Sequence, residues 1–390
     1  MKKHVFIIGS KGIPAQYGGY ESFLEKLTYY QKSSQIQYHV ACLTASEQPG
    51  RTFIHNNAAC FNIRQVNIGP AKAIVYDLQA FIYCLNYIKA KKIEKPVIYV
   101  LACRIGPFFW YLKKKVRSLG GELYINPDGH EWKRAKWSWP VKRYWKLSEK
   151  KMVKHADLVI CDSKNIEAYI KKSYAAYGPN TRFIAYGSET SPSVLKDDDK
   201  KVQDWYKDKG TRPGEYYLIV GRFVPENNYE IMIREFMQSS TKKSLLIITK
   251  IDNQKFYQRL LNKTGFDKDK RIKFAGTVYD QELLKKLREN AFAYIHGHEV
   301  GGTNPSLLEA LGSTELNLLL DVGFNREVGE NSSLYWSKEK GDLSKLIERS
   351  ESLTDEECHR MGGKAKTRIR EAYSWDYIVG SYETLFTGEG

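Results

Sequence analysis

The sequence predicts an α/β protein built from two doubly wound domains with mostly parallel sheets, and three observations carry that reading. The chain has 390 residues, and at roughly 100 to 200 residues per domain that length favours two domains over one. Short apolar runs alternate with longer amphipathic stretches, the pattern of parallel strands joined by helical crossovers. The alternation breaks once, after Tyr186, into Gly-Ser-Glu-Thr-Ser-Pro-Ser and an acidic-basic run over 197–201. The expected boundaries are a first domain over 1–190, a linker region over 191–212, a second domain over 213–372 and a C-terminal segment over 373–390.

Each element has its own warrant. Strands are predicted over 5–8, 38–43, 97–101, 122–125 and 158–161 in the first half, all short apolar runs bounded by turn or polar residues. The run at 5–8 is too short for a secretory leader and suits a buried first strand. A helix is predicted over 20–30, where Phe23, Leu24, Leu27 and Tyr30 recur at helical spacing. A second strand series covers 216–220, 244–248, 272–274, 293–295 and 317–320. The chain ends on a helical stripe of Trp375, Ile378, Val379, Tyr382 and Phe386. With 42% hydrophobic residues a disordered chain is excluded. No run of about 18 uncharged apolar residues exists, so no membrane-spanning helix is expected. The six cysteines, Cys42, Cys60, Cys84, Cys103, Cys161 and Cys358, form no C-x-x-C pair and read as reduced thiols of a cytoplasmic protein.

Charge is divided unevenly. The net charge is +16, yet residues 1–190 hold 30 Lys+Arg against 13 Asp+Glu, and the rest hold 31 against 32. The excess therefore belongs to the first half. Its candidate counterparts are nucleic acid, acidic lipid headgroups or phosphorylated substrates, with solubility as the plain alternative.

Two glycine loops follow strands. The first, Gly9-Ser10-Lys11-Gly12-Ile13-Pro14-Ala15-Gln16-Tyr17-Gly18-Gly19, runs from a strand into a helix, where glycines permit close backbone approach to a ligand. Its spacing matches neither G-x-G-x-x-G nor a P-loop, so dinucleotide oxidoreductases and P-loop NTPases lose ground. Plain turn formation stays open for Gly12, Gly18 and Gly19. The second loop, His296-Gly297-His298-Glu299-Val300-Gly301-Gly302-Thr303-Asn304-Pro305, ends on an N-cap and a proline suited to the first helical position. Backbone groups of Gly302 and Thr303 would face a phosphate, and Glu309, a turn into the helix, would accept hydrogen bonds from a sugar's paired hydroxyls. His296 and His298 read as loop residues, because no Cys or Asp cluster accompanies them as metal ligands.

Taken in order along nearly the whole chain, these features resemble the retaining glycosyltransferases of family four. The shared features are Gly18-Gly19-x-Glu21, the segment from Ala156 to Ser163, Ile184-Ala185-Tyr186-Gly187, Val220-Gly221-Arg222, the Asn304 to Glu309 helix start, and Tyr373-Ser374-Trp375-Asp376. More narrowly, Gly12-Ile13-Pro14-Ala15-x-Tyr17-Gly18-Gly19, the stretch from Asp128 to Arg134, that from Gly221 to Asn228, and Gly301-Gly302-Thr303-Asn304-Pro305 are similar to rhamnosyltransferases of streptococcal-type cell-wall and capsular polysaccharide assembly.

The resemblance implies a GT-B architecture: two Rossmann-like domains facing a central cleft, with the C-terminal helix returning to the first. It implies that the second domain holds a nucleotide sugar, with Glu309 on the pentose, Gly302, Thr303 and Asn304 near the diphosphate, and Arg222 pairing with it. The family usually has a lysine where this chain has Asn227 and a glutamate where it has Gly301. Lys250 is the candidate replacement cation. Retention in such enzymes needs no protein nucleophile, since the leaving diphosphate takes the acceptor proton. Acceptor-orienting candidates are Asp128, Glu131, Asp162 and Tyr186. Asp162 follows a strand and should emerge at its C-terminal end, although it also reads as a helix cap, and Asp128 before Gly129 also reads as a plain turn residue.

Residues 89–154 hold 18 Lys+Arg and 5 Asp+Glu, and five of eight tryptophans lie between Trp110 and Trp145. Phe109, Trp110, Lys113, Lys114, Lys115, Trp137 and Trp139, with Lys136 and Arg143, suit an anionic membrane surface. The same interleaving would also serve single-stranded nucleic acid.

The expectation is a peripheral enzyme on the inner face of the cell membrane moving L-rhamnose from dTDP-L-rhamnose to a lipid-diphosphate-linked saccharide primed by N-acetylglucosamine, in cell-wall or capsule synthesis. A UDP-sugar-dependent hexosyltransferase is the alternative, and a nucleic-acid-binding protein the distant one. No resident cofactor or metal is expected.

Overall fold

The structure is a computed structural model that describes residues 2–15, 18–44, 51–134 and 137–388. Tyr17 and Lys136, both singled out above, lie outside the described residues. The chain divides into two compact units, Met1–Gly187 with Trp375–Gly390, and Ser188–Ser374.

Unit 1 is an eight-stranded sheet. Its strands are β1 (Lys3–Ile8), β2 (Ile36–Thr44), β3 (Thr52–His55), β4 (Ala58–Arg64), β5 (Val97–Leu101), β6 (Glu122–Asn126), β7 (Leu158–Cys161) and β8 (Thr181–Phe183). Their spatial order is β3-β4-β2-β1-β5-β6-β7-β8, parallel throughout except that β3 runs antiparallel to β4. That hairpin was not predicted. It turns on Asn56 and Asn57, both with positive φ, and β3 is half exposed rather than an apolar run. The central strands are wholly buried because helices cover both faces, which is why they read as continuous Val/Ile/Leu runs.

The C-terminal helix Trp375–Thr387 covers one face of this sheet. Its Phe386 ring stacks with Tyr124 and meets Tyr38 and Tyr99 edge to face, and the Tyr382 hydroxyl lies 3.2 Å from that of Tyr99. Glu383 accepts the backbone N–H groups of Lys32 and Ser33 at 2.7 and 2.9 Å.

Unit 2 is a six-stranded, all-parallel sheet. It holds β9 (Tyr216–Val220), β10 (Ser244–Ile248), β11 (Ile272–Gly276), β12 (Ala293–His296), β13 (Asn317–Leu320) and β14 (Leu334–Trp336), in the order β11-β10-β9-β12-β13-β14. Two apolar clusters fill its faces. The stretch 191–212 is not a bare linker: it carries the helix Lys200–Lys209, whose Val202 and Tyr206 are buried against Tyr216 and Leu218. Turn formers on both sides of that helix hid its two inward residues.

In both sheets the chain reverses direction once, between β1 and β5 and between β9 and β12. Open α/β sheets leave a crevice at such a switch point, outside the carboxyl ends of the strands. Both glycine loops leave strands that border these points.

Candidate functional site

In unit 1 the first glycine loop leaves β1 at Gly9, whose φ of +93° and 2.1 Å separation of a hypothetical Cβ from the Leu101 carbonyl oxygen admit only glycine. The loop's amides are already taken. Lys11 N–H donates to Glu21 at 2.7 Å, Ala15 N–H to Glu25 at 2.9 Å, and Gly12 N–H to the Ser10 hydroxyl at 3.1 Å. Gly12 lies against Cys42, Gly18 directly precedes the helix Gly19–Tyr29, and Gly19 faces open space. The loop is thus clamped onto its own helix by carboxylates, and these three amides do not form an anion cradle.

The acceptor-orienting candidates gather at the same carboxyl edge. Asp128 follows β6 with φ +52°, its N–H bonded to the Asn126 side chain at 2.9 Å. Glu131 is buried, ion-paired to Arg134 and hydrogen-bonded by the Trp137 indole at 2.9 Å. Arg134 also lies 3.8 Å from Asp128. Asp162 is buried at the end of β7. The cap of the next helix is Ser163, whose hydroxyl accepts Asn165 N–H at 3.1 Å, so the capping alternative for Asp162 does not hold. Asp162, Asp128 and Tyr186 sense one another. The Tyr186 phenol is held well above its usual pKa by burial and then by the charges of Asp162 and Asp128.

Two functional-looking groups here escaped the sequence. Tyr20 donates to Asn126 at 3.4 Å, and its phenol is raised by burial, then by Asp128, Tyr186 and Asp162. Arg104, just past β5, donates through Nη1 to the Gly9 carbonyl at 2.8 Å and to Asp77 at 3.1 Å. Asp77 is fully buried, and burial pushes its carboxyl up to about 6 against the pull of Arg104. Arg104 and Asp77 lie 27 residues apart in sequence, so no local pattern announces them.

The expected membrane set divides. Phe109 is fully buried in the core and Lys113 is buried in an ion pair with Asp157, so these two face inward, as their positions on the packed side of the helix Gly106–Ser118 require. Trp110 and Trp139 are more than half exposed, at 53% and 67%, beside exposed Phe108, Tyr111 and Leu147. Lys114 and Lys115 are exposed on the same helix. Lys114 lies 3.7 Å over the Trp110 ring, and Arg143 4.7 Å over that of Trp139. Trp137 is half-buried and belongs to the Glu131 loop.

In unit 2 two loops meet at the switch point. After β9, Asn227 donates to the Arg222 carbonyl at 2.7 Å and bonds His298 Nδ1 at 2.7 Å through Oδ1, while Asn228 donates to the Gly297 carbonyl at 2.8 Å. Both ends of the Asn227 amide are therefore spent on joining loops. Arg222 projects into solvent, as does Lys250 two residues past β10. The β9 end is fixed by its Val220 carbonyl, which accepts the Tyr294 and Ser306 hydroxyls at 3.0 Å each.

Asn304 caps the helix Pro305–Ser313, its side chain accepting Ser306 N–H at 2.9 Å. Gly301, Gly302 and Thr303 are buried just before it. Glu309, 40% exposed at its side chain, is paired through Oε2 with the buried Arg288 at 2.5 Å. His296 is buried and held well below its usual pKa by burial and then by His298, so it stays neutral. Among the described residues no group of three or more His, Cys, Asp or Glu is placed to hold a metal ion. Of the six cysteines all are free thiols, five of them buried. No helix among the described residues is long and apolar enough to cross a membrane.

Residues 2–189 match a family described as a domain of unknown function, DUF1972. No curated protein matches the chain. Among solved structures it is similar to a sucrose-phosphate synthase from Thermosynechococcus elongatus, at TM-score 0.78 and 16% identity over 100% of this chain and 99% of that one. An α,α-trehalose 6-phosphate synthase from Burkholderia multivorans gives TM-score 0.77 at 11% identity, over 100% and 97%. An E. coli trehalose-6-phosphate structure bound with UDP-2-fluoro glucose gives 0.72 at 12%, over 99% of each chain. At such identities the likeness is one of fold, and the fold is that of the GT-B glycosyltransferases, two Rossmann-like parallel-sheet units.

Proposed function

We propose that this chain is a retaining, nucleotide-sugar-dependent glycosyltransferase whose unit 2 takes the donor and whose unit 1 takes the acceptor. The observation that carries the reading is the unit 2 switch point, where a buried glycine turn, the Asn304-capped helix and the Glu309 carboxylate lie together at the carboxyl end of the sheet. A helix start with glycine-rich backbone suits a diphosphate, and a carboxylate one turn in suits a pentose. Arg222 and Lys250 are the cations available to the departing charge. The fold likeness supports the same reading, since one similar structure is bound with UDP-2-fluoro glucose.

In unit 1, Asp128, Glu131, Asp162 and Tyr186, with Tyr20, would orient an acceptor hydroxyl, while the leaving diphosphate takes its proton on the same face. The finer reading is transfer of L-rhamnose from dTDP-L-rhamnose to a lipid-diphosphate-linked saccharide in cell-wall or capsule synthesis, at the inner membrane face. Trp110, Trp139, Lys114 and Arg143, exposed together on two helices, support contact with an anionic lipid surface. The alternative donor is a UDP-hexose.

The test supplies dTDP-rhamnose or UDP-glucose together with a lipid-linked N-acetylglucosamine in anionic vesicles, and identifies the product by mass. A rhamnosylated product is expected, lost in Asp162→Asn and Asp128→Asn. Transfer from UDP-glucose alone overturns the donor assignment, and failure to sediment with the vesicles overturns the membrane contact.

A further inference from the structure

The turn that carries Asp128 and Glu131 takes much of its support from residues that follow it in the chain. Asp128 and His130 both stand at φ +52°, left-handed backbone that non-glycine residues keep only where their surroundings fix it. The Asn126 side chain and Arg134 hold the Asp128 end. The other end rests on two helices. The His130 ring lies 4.2 Å from the ring of Tyr169 on the helix Lys164–Ser173. The Lys146 ammonium, on the helix Trp139–His155, lies 4.5 Å over the Trp132 ring.

Lys146 joins these two supports. Its Nζ donates to the Tyr169 hydroxyl and lies 3.4 Å from Oε1 of Glu149. Glu149 is only 3% exposed and accepts the Tyr169 and Tyr174 hydroxyls as well. Burial, and then the charge of Glu149, hold the Tyr169 phenol above its usual pKa. The phenol therefore gives its one proton to the carboxylate and turns its lone pairs to the ammonium. We propose that Lys146 is a positioning residue for the acceptor: by drawing Trp132 and Tyr169 onto one cation it sets the turn over 128–132, and with it the direction in which Asp128 and Glu131 meet an acceptor hydroxyl. This rests on the reading above that the turn orients the acceptor. The plain alternative is a lysine that only balances the buried charge of Glu149.

The test compares the full chain as wild type, Lys146→Met, which keeps the apolar stem without the charge, and Lys146→Arg, which keeps a cation able to stack on the rings. Nitrogen-15 spectra of the tryptophan indoles report on the turn without any substrate. The Trp137 indole donates to Glu131 at 2.9 Å, so its signal, assigned by its loss in Trp137→Phe, reads where Glu131 stands. Lys146→Met is expected to move that signal and Lys146→Arg to return it toward wild type. In transfer from dTDP-rhamnose or UDP-glucose to lipid-linked N-acetylglucosamine, Lys146→Met should lower kcat/KM for the acceptor about tenfold, as misplaced orienting groups do, while the donor KM stays within about twofold. Lys146→Arg should recover most of the loss. A lysine that only balances Glu149 would change the urea midpoint and leave the folded protein's Trp137 signal and acceptor kcat/KM as in wild type. Either of those two left unchanged in Lys146→Met overturns the inference. Absence of transfer by wild type from both donors overturns the glycosyltransferase reading instead, and the Trp137 signal still decides whether Lys146 sets the turn.

Discussion

Gly297 is where the two loops of unit 2 come closest. A Cβ there would stand 2.6 Å from the Asn227 carbonyl oxygen and 2.8 Å from the Met232 sulfur, closer than real Cβ contacts occur. Only a glycine lets the chain after β12 close on the chain after β9, and the bonds from Asn228 and His298 then hold it there. Gly297→Ala is expected to cost about 1–3 kcal/mol, the usual range for overpacking. It should also weaken nucleoside diphosphate binding, since the displaced backbone leads into 298–304. Gly19→Ala is the control: it has nothing within 4 Å and lies in a helix, so it should be neutral or slightly stabilising. Urea unfolding of both variants checks the pair, and equal losses would remove the argument from close approach. Gly297 was visible in the sequence only as one glycine among several. Its need became apparent through a neighbour about 70 residues away, as the need for Arg288 did through Glu309, 21 residues on. Local spacing marked the turn, the cap and the carboxylate, and it could not mark the groups that hold them.

Elements were legible in proportion to their burial. β5, β7, β9, β10 and β13 match the predicted runs end to end, because strands covered on both faces are apolar along nearly their whole length, with only Ser244 and Asn317 polar at the starts of β10 and β13. β3, β8 and β14 are short or half exposed and carry no such run. The helix Trp375–Thr387 was legible as a stripe, and the structure adds what the stripe is for. Phe386, 3% exposed, meets Tyr38, Tyr99, Tyr124 and Tyr382. The end of the chain thereby completes the core of the unit that contains its beginning. Phe386→Ala should cost about 3–5 kcal/mol, as large-to-small changes in packed aromatic cores do. The loss should appear in the unfolding of unit 1 and leave nucleotide binding by the folded protein unchanged. A loss below about 1 kcal/mol would mean that the helix only lies on the sheet without sealing it.

At the scale of the molecule, the +16 charge divides by place as well as by sequence. Lysines and arginines crowd the helices Gly106–Ser118 and Trp139–His155, whereas the carboxyl edge of the unit 1 sheet gathers Asp77, Asp128, Glu131 and Asp162. Acid should unfold such a protein through groups that refuse protons in the folded state. His39 is one. Burial, and then the neighbouring His4, lower it to about 3 from the usual 6.5, while it stacks on Phe6 and shares a 2.9 Å hydrogen bond with His4. Burial lowers His130 similarly, to about 4. Between pH 6.5 and 3 the unfolded chain binds a proton at His39 that the folded chain does not, so stability rises with pH across that window and is lost as pH falls. Asp77 works in the opposite direction. Its carboxyl, raised to about 6, binds a proton in the folded state before the unfolded one does, so its contribution falls as pH rises from about 4 to 6. The two overlap, and the difference between two proteins separates them. Replacing His39 with phenylalanine keeps a ring against Phe6 and removes the titration. Its stability should fall less steeply with acid than that of wild type between pH 6 and 4, by about 1.4 kcal/mol per pH unit, one proton's worth. Urea unfolding at half-unit steps of pH measures both slopes, and parallel slopes would show that His39 takes up no extra proton when the chain unfolds.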